Sequence, residues 1–158
     1  MMELVRSAHS LGEANFHLQF TPKYRRDVFR DGEVKRVCEE SFHETAARYG
    51  FAIHAVEFGP EHAHIFVGAC KNMAVSELAR LLKGASSRRV RAQCWGRICG
   101  KLWGDSFWSD GYFYRSVGAT TNEAIEYYIQ SSQSKHWKAI DHDLHIQSKQ
   151  KSLNQYTA

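Results

Sequence analysis

The feature that most constrains the fold is an alternation of two periodicities along the chain. Apolar side chains that recur every second residue are typical of strands, whereas recurrence every three to four residues is typical of helices. The predicted strands are Asn15–Thr21, Phe51–Phe58, His62–Gly68 and Tyr112–Val117. The predicted helices between them are Glu33–Tyr49 and Val75–Gln93. The order β-α-β-β-α-β predicts an α+β fold, a ferredoxin-like sandwich whose four-stranded antiparallel sheet carries two helices on one face.

Turn and capping signals complete this division. Gly59-Pro60 predicts a hairpin between the second and third strands. Thr120-x-x-Glu123 resembles a capping box and predicts an additional C-terminal helix over about Thr121–Trp137. We therefore expect an N-terminal lead-in at residues 1–13, one domain at residues 14–137 and a polar tail at residues 138–158.

The composition excludes several classes of protein. A length of 158 residues with 43% hydrophobic side chains fits one globular domain. No run of about 18 apolar residues exists to span a membrane, and the N-terminus lacks the apolar stretch of a signal peptide, so we expect a cytoplasmic protein. The four cysteines form no CxxC pair, which favours free thiols, and Cys38 lies on the apolar stripe of the first helix.

Charge is unevenly distributed along the sequence. The net charge is +4, but the stretch from Lys71 to Lys101 holds eight basic residues and one acid. Such a stretch favours a surface for a polyanion such as nucleic acid, the alternative being a solvated helix face. The candidate DNA-binding residues are Lys23, Arg25, Arg26, Lys83, Arg88, Arg89 and Arg91. Nearby aromatic residues could stack on unpaired bases or belong to the core; they are Trp95, Trp103, Phe107 and Trp108.

Two motifs could carry chemistry. His62-Ala63-His64 lies in a predicted strand, where alternate side chains share a face, so both imidazoles could bind one metal ion or simply be surface histidines. Tyr127 and Tyr128 lie in the predicted last helix. A tyrosine can attack a phosphodiester and form a covalent phosphotyrosine, although the helix pattern taken alone favours aromatic packing.

Three segments in order carry a resemblance to a known family. They are Pro60-Glu61-His62-Ala63-His64-Ile65-Phe66-Val67, then Leu102-Trp103 with Phe107-Trp108-Ser109-Asp110-Gly111-Tyr112-Phe113, then Gly118 followed ten residues later by Tyr128-Ile129. Together they resemble the single-tyrosine HUH transposases of the insertion sequence 200/605 group, to which the REP-associated tyrosine transposases are related. The resemblance covers about residues 14–137 and includes the basic turn after the first strand.

The resemblance implies a function and a set of site residues. His62 and His64 would bind a divalent ion, Mg²⁺ or Mn²⁺, and Tyr128 would be the nucleophile, with Tyr127 as the fallback. Family members cut single-stranded DNA beside small hairpins, form a 5′-phosphotyrosine link and rejoin strands without ATP. They act as homodimers in prokaryotic cells, where the protein would associate with the nucleoid.

One departure from the family pattern leaves alternatives open. The family usually has a glutamine four residues after the tyrosine, but this sequence has Ser132 there and Gln133 one residue later. Either residue is a candidate third metal ligand. The departure also keeps open a non-catalytic relative that only binds single-stranded DNA and hairpins. A third hypothesis, a phosphodiesterase with a second motif at His43-Glu44-Thr45, ranks lowest because that segment is predicted to be helical.

Overall fold

A computed structural model describes residues 5–70, 72–102 and 104–118. The strands are β1 (Val5–Ser7), β2 (Ser10–Gly12), β3 (Asn15–Phe20), β4 (Ala52–Gly59), β5 (His62–Gly68) and β6 (Phe113–Val117). The helices are α1 (Gly32–Tyr49) and α2 (Val75–Ile98), and two short 3₁₀ turns span Lys23–Arg25 and Val28–Arg30. The predicted last helix and polar tail lie outside the described residues.

The main sheet has the strand order β4-β5-β3-β6, and every neighbouring pair is antiparallel. This is the predicted ferredoxin-like arrangement, in which the first and third strands of the β-α-β-β-α-β unit lie at the centre. The hairpin predicted at Gly59-Pro60 joins β4 to β5. The α+β prediction and the four-stranded antiparallel sheet are confirmed.

The N-terminal lead-in is more ordered than its sequence suggested. Instead of an irregular segment, β1 and β2 form a two-stranded antiparallel sheet in which Val5 pairs with Gly12. Three residues per strand are too few to show a clear period of two, which is why the pattern does not reveal them.

Both ends of α1 follow local capping rules. The Asp31 carboxylate accepts hydrogen bonds from the backbone N–H groups of Glu33 and Val34, at 2.9 and 3.3 Å. Gly50 ends the helix in the left-handed conformation, with φ of 79°, as predicted. The buried stripe of α1 includes Val34, Cys38 and Phe42.

Helix α2 is longer than predicted, because it continues past Gln93 to Ile98. Val90, Cys94 and Ile98 are buried and recur every four residues, so the apolar stripe extends beyond the basic segment. Cys94 has φ of −121° and marks a kink. Glycine lowers the helix propensity of this region, but burial of the stripe outweighs the modest cost of Gly96 in a helix.

The core is rich in aromatic rings. Phe20, Phe42, Phe107 and Trp108 are at most 4% exposed, and the Trp108 indole N–H donates to Ser86 Oγ at 2.9 Å. The hypothesis that Phe107 and Trp108 stack on bases is therefore wrong, because both rings are core side chains. Trp95 is exposed, and Trp103 lies outside the described residues.

The remaining general expectations concern thiols and membranes. All four cysteines are free, and Cys38 is buried in the core as predicted. Among the described helices, none combines the length and apolar character that crossing a membrane requires.

Candidate functional site

Strand β5 divides its side chains between two buried surfaces. Ala63, Ile65 and Val67 are completely buried in the apolar core. His62 and His64 share the opposite face, as predicted, with ring centroids 4.8 Å apart and edge-to-face geometry. They are 7% and 2% exposed. The strand therefore holds two imidazoles close together on a face that also carries the buried ring of Phe66.

A third histidine completes this face. His17 of β3 is 1% exposed, and its Nε2 lies 2.8 Å from His64 Nδ1 in a hydrogen bond. Its ring stacks on Phe66 at 4.9 Å between centroids and on His64 at 5.0 Å. Burial, reinforced by the charge of Arg115, lowers the pKa of His17 to about 4, so its imidazole is neutral at pH 7.

The sequence pattern places His17 on the polar side of its strand but does not pair it with His64. That pairing depends on the antiparallel register of β3 with β5, in which Gln19 lies opposite His64 and His17 opposite Phe66. The available signal was the isolated histidine between Phe16 and Leu18 of an otherwise apolar-alternating strand.

The His62 ring lies across Gly59, its register partner in β4. A Cβ atom at Gly59 would collide with the imidazole, so this position requires glycine. On its other side His62 Nδ1 contacts Glu61 Oε1 at 3.3 Å. The orientation of the His62 ring is thus set by the space above Gly59 and by the Glu61 carboxylate.

These residues fit part of a metal site. Within the described part of the chain, no group of three His, Cys, Asp or Glu side chains could hold a metal ion. His62 and His64 supply two nitrogen ligands on one face, which suits a divalent ion that completes its coordination with oxygen atoms from elsewhere. The candidate third ligands Ser132 and Gln133, and the candidate nucleophiles Tyr128 and Tyr127, lie outside the described residues.

The basic turn after β3 lies at the His62 end of the sheet. Phe20, the last residue of β3, pairs with Ala63, the second residue of β5. Tyr24 and Arg25 have positive φ values of 59° and 52°, which non-glycine residues rarely adopt. Arg25 and Arg26 are exposed. Strain in an exposed basic turn beside a polar site is typical of functional segments.

Antiparallel contacts with the segment 107–109 fix this turn. The Lys23 N–H donates to the Phe107 carbonyl and the Ser109 N–H to the Thr21 carbonyl, both at 2.9 Å. The Lys23 ammonium lies 3.9 Å from the Asp110 carboxylate. These contacts tie the turn that contains Tyr24 and Arg25 to a segment that is anchored in the core by Trp108.

Two candidate DNA-binding residues of α2 form hydrogen bonds within the protein. The Lys83 ammonium donates to the carbonyls of Ser109, Asp110 and Gly111, at 2.6 to 3.2 Å. Its burial lowers the pKa of Lys83. Arg91 donates to the Gly104 carbonyl at 2.7 Å. Both side chains contact the segment before β6, and their role as direct DNA contacts stays a prediction.

Apart from Glu77, which pairs with Arg80 on α2 itself, the acids that balance the basic stretch from Lys71 to Lys101 come from other elements. Arg89 pairs with Glu44 of α1 at 2.6 Å, Arg97 with Asp31 at 2.9 Å, and Lys101 with Asp27 at 2.7 Å. A search along one helix misses such partners. The high positive charge of this stretch in the sequence is therefore partly neutralised in the fold.

Positive charge remains concentrated in a groove between α1 and α2. The groove has a volume of about 500 Å³, and Gly84, Ala85 and Ala92 contribute small side chains to its lining. Four arginines and one acid, Glu44, also line it; the arginines are Arg48, Arg80, Arg88 and Arg89, of which Arg80 pairs with Glu77 and Arg89 with Glu44. Arg88 is exposed, and its guanidinium has no ion-pair partner among the described residues. The groove is a second basic surface, built on the helices rather than on the histidine face.

The proposed phosphodiesterase motif is not assembled. His43 is exposed on α1, whereas Thr45 is buried and its hydroxyl donates to the Ser41 carbonyl at 2.7 Å. As expected for a helix, the two side chains do not share a face.

Comparison with known proteins identifies the family of this chain. The family described as "Transposase IS200 like" matches residues 10–132. The ISDra2 transposase TnpA of Deinococcus radiodurans is 29% identical over 134 residues, which cover 85% of this chain and 94% of that protein. The transposase for insertion sequence element IS200 of Salmonella typhimurium is 30% identical over 120 residues, covering 76% and 78%.

Solved structures show the same fold. A crystal structure of a transposase candidate from Deinococcus radiodurans R1 superposes with a TM-score of 0.64 at 25% identity, covering 82% of this chain and 98% of that one. A REP-associated tyrosine transposase bound to a REP hairpin gives a TM-score of 0.53 at 15% identity, covering 81% and 68%, and supports the fold alone. On its family match over most of its length, this chain belongs to the IS200-like transposases.

Proposed function

We propose that this protein cleaves and rejoins single-stranded DNA at the ends of an insertion element. The observation that carries the proposal is the buried pair His62 and His64 on one sheet face, in a chain of the IS200-like transposase family. Burying polar imidazoles costs free energy that apolar residues at the same positions would not cost. A site retained at that cost favours a chemical role.

In this proposal His62 and His64 hold a divalent cation, Mg²⁺ or Mn²⁺, with Gln133 or Ser132 as a further ligand. When bound, such an ion polarises the scissile phosphate as a Lewis acid. The chain itself fixes the imidazoles beforehand: Gly59 leaves room for the His62 ring, and His17 contacts His64. Preorganised ligands avoid the cost of ordering side chains when the ion and DNA bind.

Tyr128 supplies the nucleophile, with Tyr127 as the fallback. The tyrosine oxygen forms a bond to phosphorus while the bond from phosphorus to the 3′ oxygen breaks, and that oxygen takes up a proton to leave a 3′-OH. The 5′ phosphate remains esterified to the tyrosine. In the joining step a 3′-OH attacks the same phosphorus and the tyrosine leaves, so one phosphodiester replaces another and no ATP is consumed.

The basic turn is the proposed contact for the scissile strand. Lys23, Arg25 and Arg26 lie at the His62 end of the sheet, so phosphates on either side of the cut could be bound there. Exposed Tyr24 offers a ring on which an unpaired base can stack. In this proposal Lys83 and Arg91 also act indirectly, because their contacts with the carbonyls of residues 104 and 109–111 hold the segment that fixes this turn.

The groove between α1 and α2 is the proposed contact for the hairpin end, through Arg88 and Arg89. Because these contacts neutralise phosphates, Arg88→Ala should lower the slope of log affinity against log salt by about 0.7–0.9. Arg36→Ala is the matched control, since Arg36 is also an exposed α1/α2 arginine but pairs with Glu33 and Glu40 outside the groove. Equal slopes for both variants would contradict a DNA contact at Arg88.

Partners and location follow from the same proposal. The REP-associated relative binds a hairpin, and single-stranded DNA with hairpin ends is the substrate we propose for this chain. We further propose a homodimer, to be measured by light scattering during size-exclusion chromatography. A DNA substrate places the protein with the nucleoid in the cytoplasm of a prokaryote.

Covalent capture tests the proposed chemistry. Purified protein with Mn²⁺ is incubated with a 3′-labelled single strand that carries the element's flanking hairpin, and the products are separated under denaturing conditions. We expect label on the wild-type protein, none on Tyr128→Phe, and unchanged labelling of Tyr127→Phe. Labelling lost only in Tyr127→Phe would assign the nucleophile to Tyr127 instead of Tyr128. Tight hairpin binding with no adduct from the wild type would favour the non-catalytic DNA-binding alternative.

A further inference from the structure

We infer that His17 is a positioning residue that fixes the ring orientation and tautomer of His64. The inference rests on the proposed function, because it assigns His64 to metal binding. The geometry points to one interaction: the 2.8 Å hydrogen bond between His17 Nε2 and His64 Nδ1, which joins the two central strands of the sheet.

The contacts around His17 hold its ring in one place. The ring stacks on Phe66 with an interplanar angle of 8° and on His64 with an angle of 26°. Phe113 of β6 approaches edge-on at 6.1 Å between centroids. With 1% of its surface exposed, His17 cannot turn toward solvent without opening the sheet face. It therefore presents Nε2 to His64 from a fixed position.

Counting protons gives the direction of the hydrogen bond. Two imidazole nitrogens joined by one hydrogen bond share one proton, so one nitrogen donates and the other accepts. A histidine that binds metal through Nε2 must carry its proton on Nδ1. His64 Nδ1–H then donates to His17 Nε2, and the proton of His17 resides on its own Nδ1.

This arrangement differs from direct coordination by His17. Among the described residues no three His, Cys, Asp or Glu side chains could hold a metal together, so His17 does not complete a triad with His62 and His64. Its Nε2 is directed at the nitrogen of His64 that metal binding leaves protonated. Groups that orient a ligand in this way typically change metal affinity by 10–100-fold when removed.

Two substitutions separate the hydrogen bond from the packing. His17→Phe retains a ring between Phe66 and Phe113 but removes the acceptor. His17→Gln loses the ring but places an amide oxygen near the former Nε2 position, where it can accept from His64. His54→Phe is the matched control, because His54 is an exposed histidine in β4 of the same sheet.

The first readout is Mn²⁺ affinity without DNA, measured by electron paramagnetic resonance titration of protein whose fold is verified by circular dichroism. We expect His17→Phe to bind at least about tenfold more weakly. His17→Gln should stay within about threefold of the wild type, and His54→Phe should be unchanged. Folded His17→Phe with wild-type affinity, or equal losses in His17→Phe and His17→Gln, would overturn the inference.

The second readout is the tautomer of His64, measured by long-range ¹H–¹⁵N NMR on metal-free wild-type protein. We expect His64 to carry its proton on Nδ1; a proton on Nε2 would overturn the inference even if His17→Phe does not fold. This arm needs no metal. If wild-type protein binds no Mn²⁺ while His64 shows the Nδ1–H tautomer, the proposed metal site fails and the hydrogen-bond assignment stands.

Discussion

The two faces of the central strands β3 and β5 are both largely buried but consist of different kinds of side chain. The core face carries apolar residues, of which Leu18, Ile65 and Val67 have no exposed surface. The histidine face carries His17, His62 and His64, held by ring stacking and hydrogen bonds. Apolar burial stabilises roughly in proportion to area, whereas directional polar contacts orient groups at little net gain. Substitutions on one face should therefore change stability, and those on the other should change chemistry.

The largest expected effect is on the histidine face. His62→Ala should lower the rate of DNA cleavage by about 10²–10³-fold or more, the range for losing one group that stabilises transition-state charge. The free energy of unfolding should change by no more than about 1 kcal/mol, since the His62 ring is not part of the apolar core. Cleavage of labelled strands and urea denaturation measure the two quantities. A fully active His62→Ala variant would contradict the claim that the histidine face carries the chemistry.

A substitution on the core face of β5, three positions after His62, should give the reverse result. Ile65 is completely buried, so Ile65→Ala should destabilise the fold by about 2–5 kcal/mol through lost burial and a cavity. At a low temperature where the variant stays folded, its cleavage rate should remain within about threefold of wild type. Loss of cleavage from a folded Ile65→Ala would show that the two faces are not independent.

Alkaline pH should act on the core through a buried thiol. Burial raises the pKa of the Cys70 thiol from its ordinary value of 9.0 to about 11. Between these values the unfolded chain releases the proton while the folded chain retains it, so stability is lost as the pH rises from 9 to 11. The loss is at most about 3 kcal/mol. Denaturation at pH 8 and pH 10.5 should show a smaller decrease for Cys70→Ala than for wild type; equal decreases would contradict this account.

The smallest effect concerns two glycines. Gly59→Ala should displace the His62 ring and weaken Mn²⁺ binding about tenfold, as expected for a group that orients a ligand. Gly84→Ala is the control, because a Cβ there meets no atom within 4 Å and α2 should gain about 0.5–1 kcal/mol from the better helix former. Isothermal titration and thermal melting distinguish them. Unchanged Mn²⁺ affinity in Gly59→Ala would remove Gly59 from the site.

Local signals were sufficient to predict most of the fold. The period of two in β3 and β5, the helical stripe of α1 and the left-handed cap at Gly50 each depend on residues close in sequence, and the structure agrees with them. The end of α2 was not predictable in this way. Its last turn carries Ile98, which is completely buried in the core cluster, and this burial outweighs the glycine-rich local sequence.

The candidate site was only partly predictable for the same reason. That His62 and His64 share a face follows from the two-residue period of one strand. The contact from His17 and the space above Gly59 depend on strand register, and the ion pair of Arg89 with Glu44 depends on helix packing. These contacts join residues of different elements that are 3 to 47 positions apart in the sequence. Patterns along a single element therefore contain no direct signal for the contacts.

Strand transfer without ATP tests the central claim most directly. Wild-type protein, Mn²⁺ and two hairpin-bearing single strands of different length and label are mixed, and the products are sized under denaturing conditions. We expect a joined strand that combines both labels, in the absence of ATP, and its loss in Tyr128→Phe and His62→Ala. Tight binding of both strands by the wild type, with neither cleavage nor a joined product, would contradict the account and identify a DNA-binding protein without the chemistry.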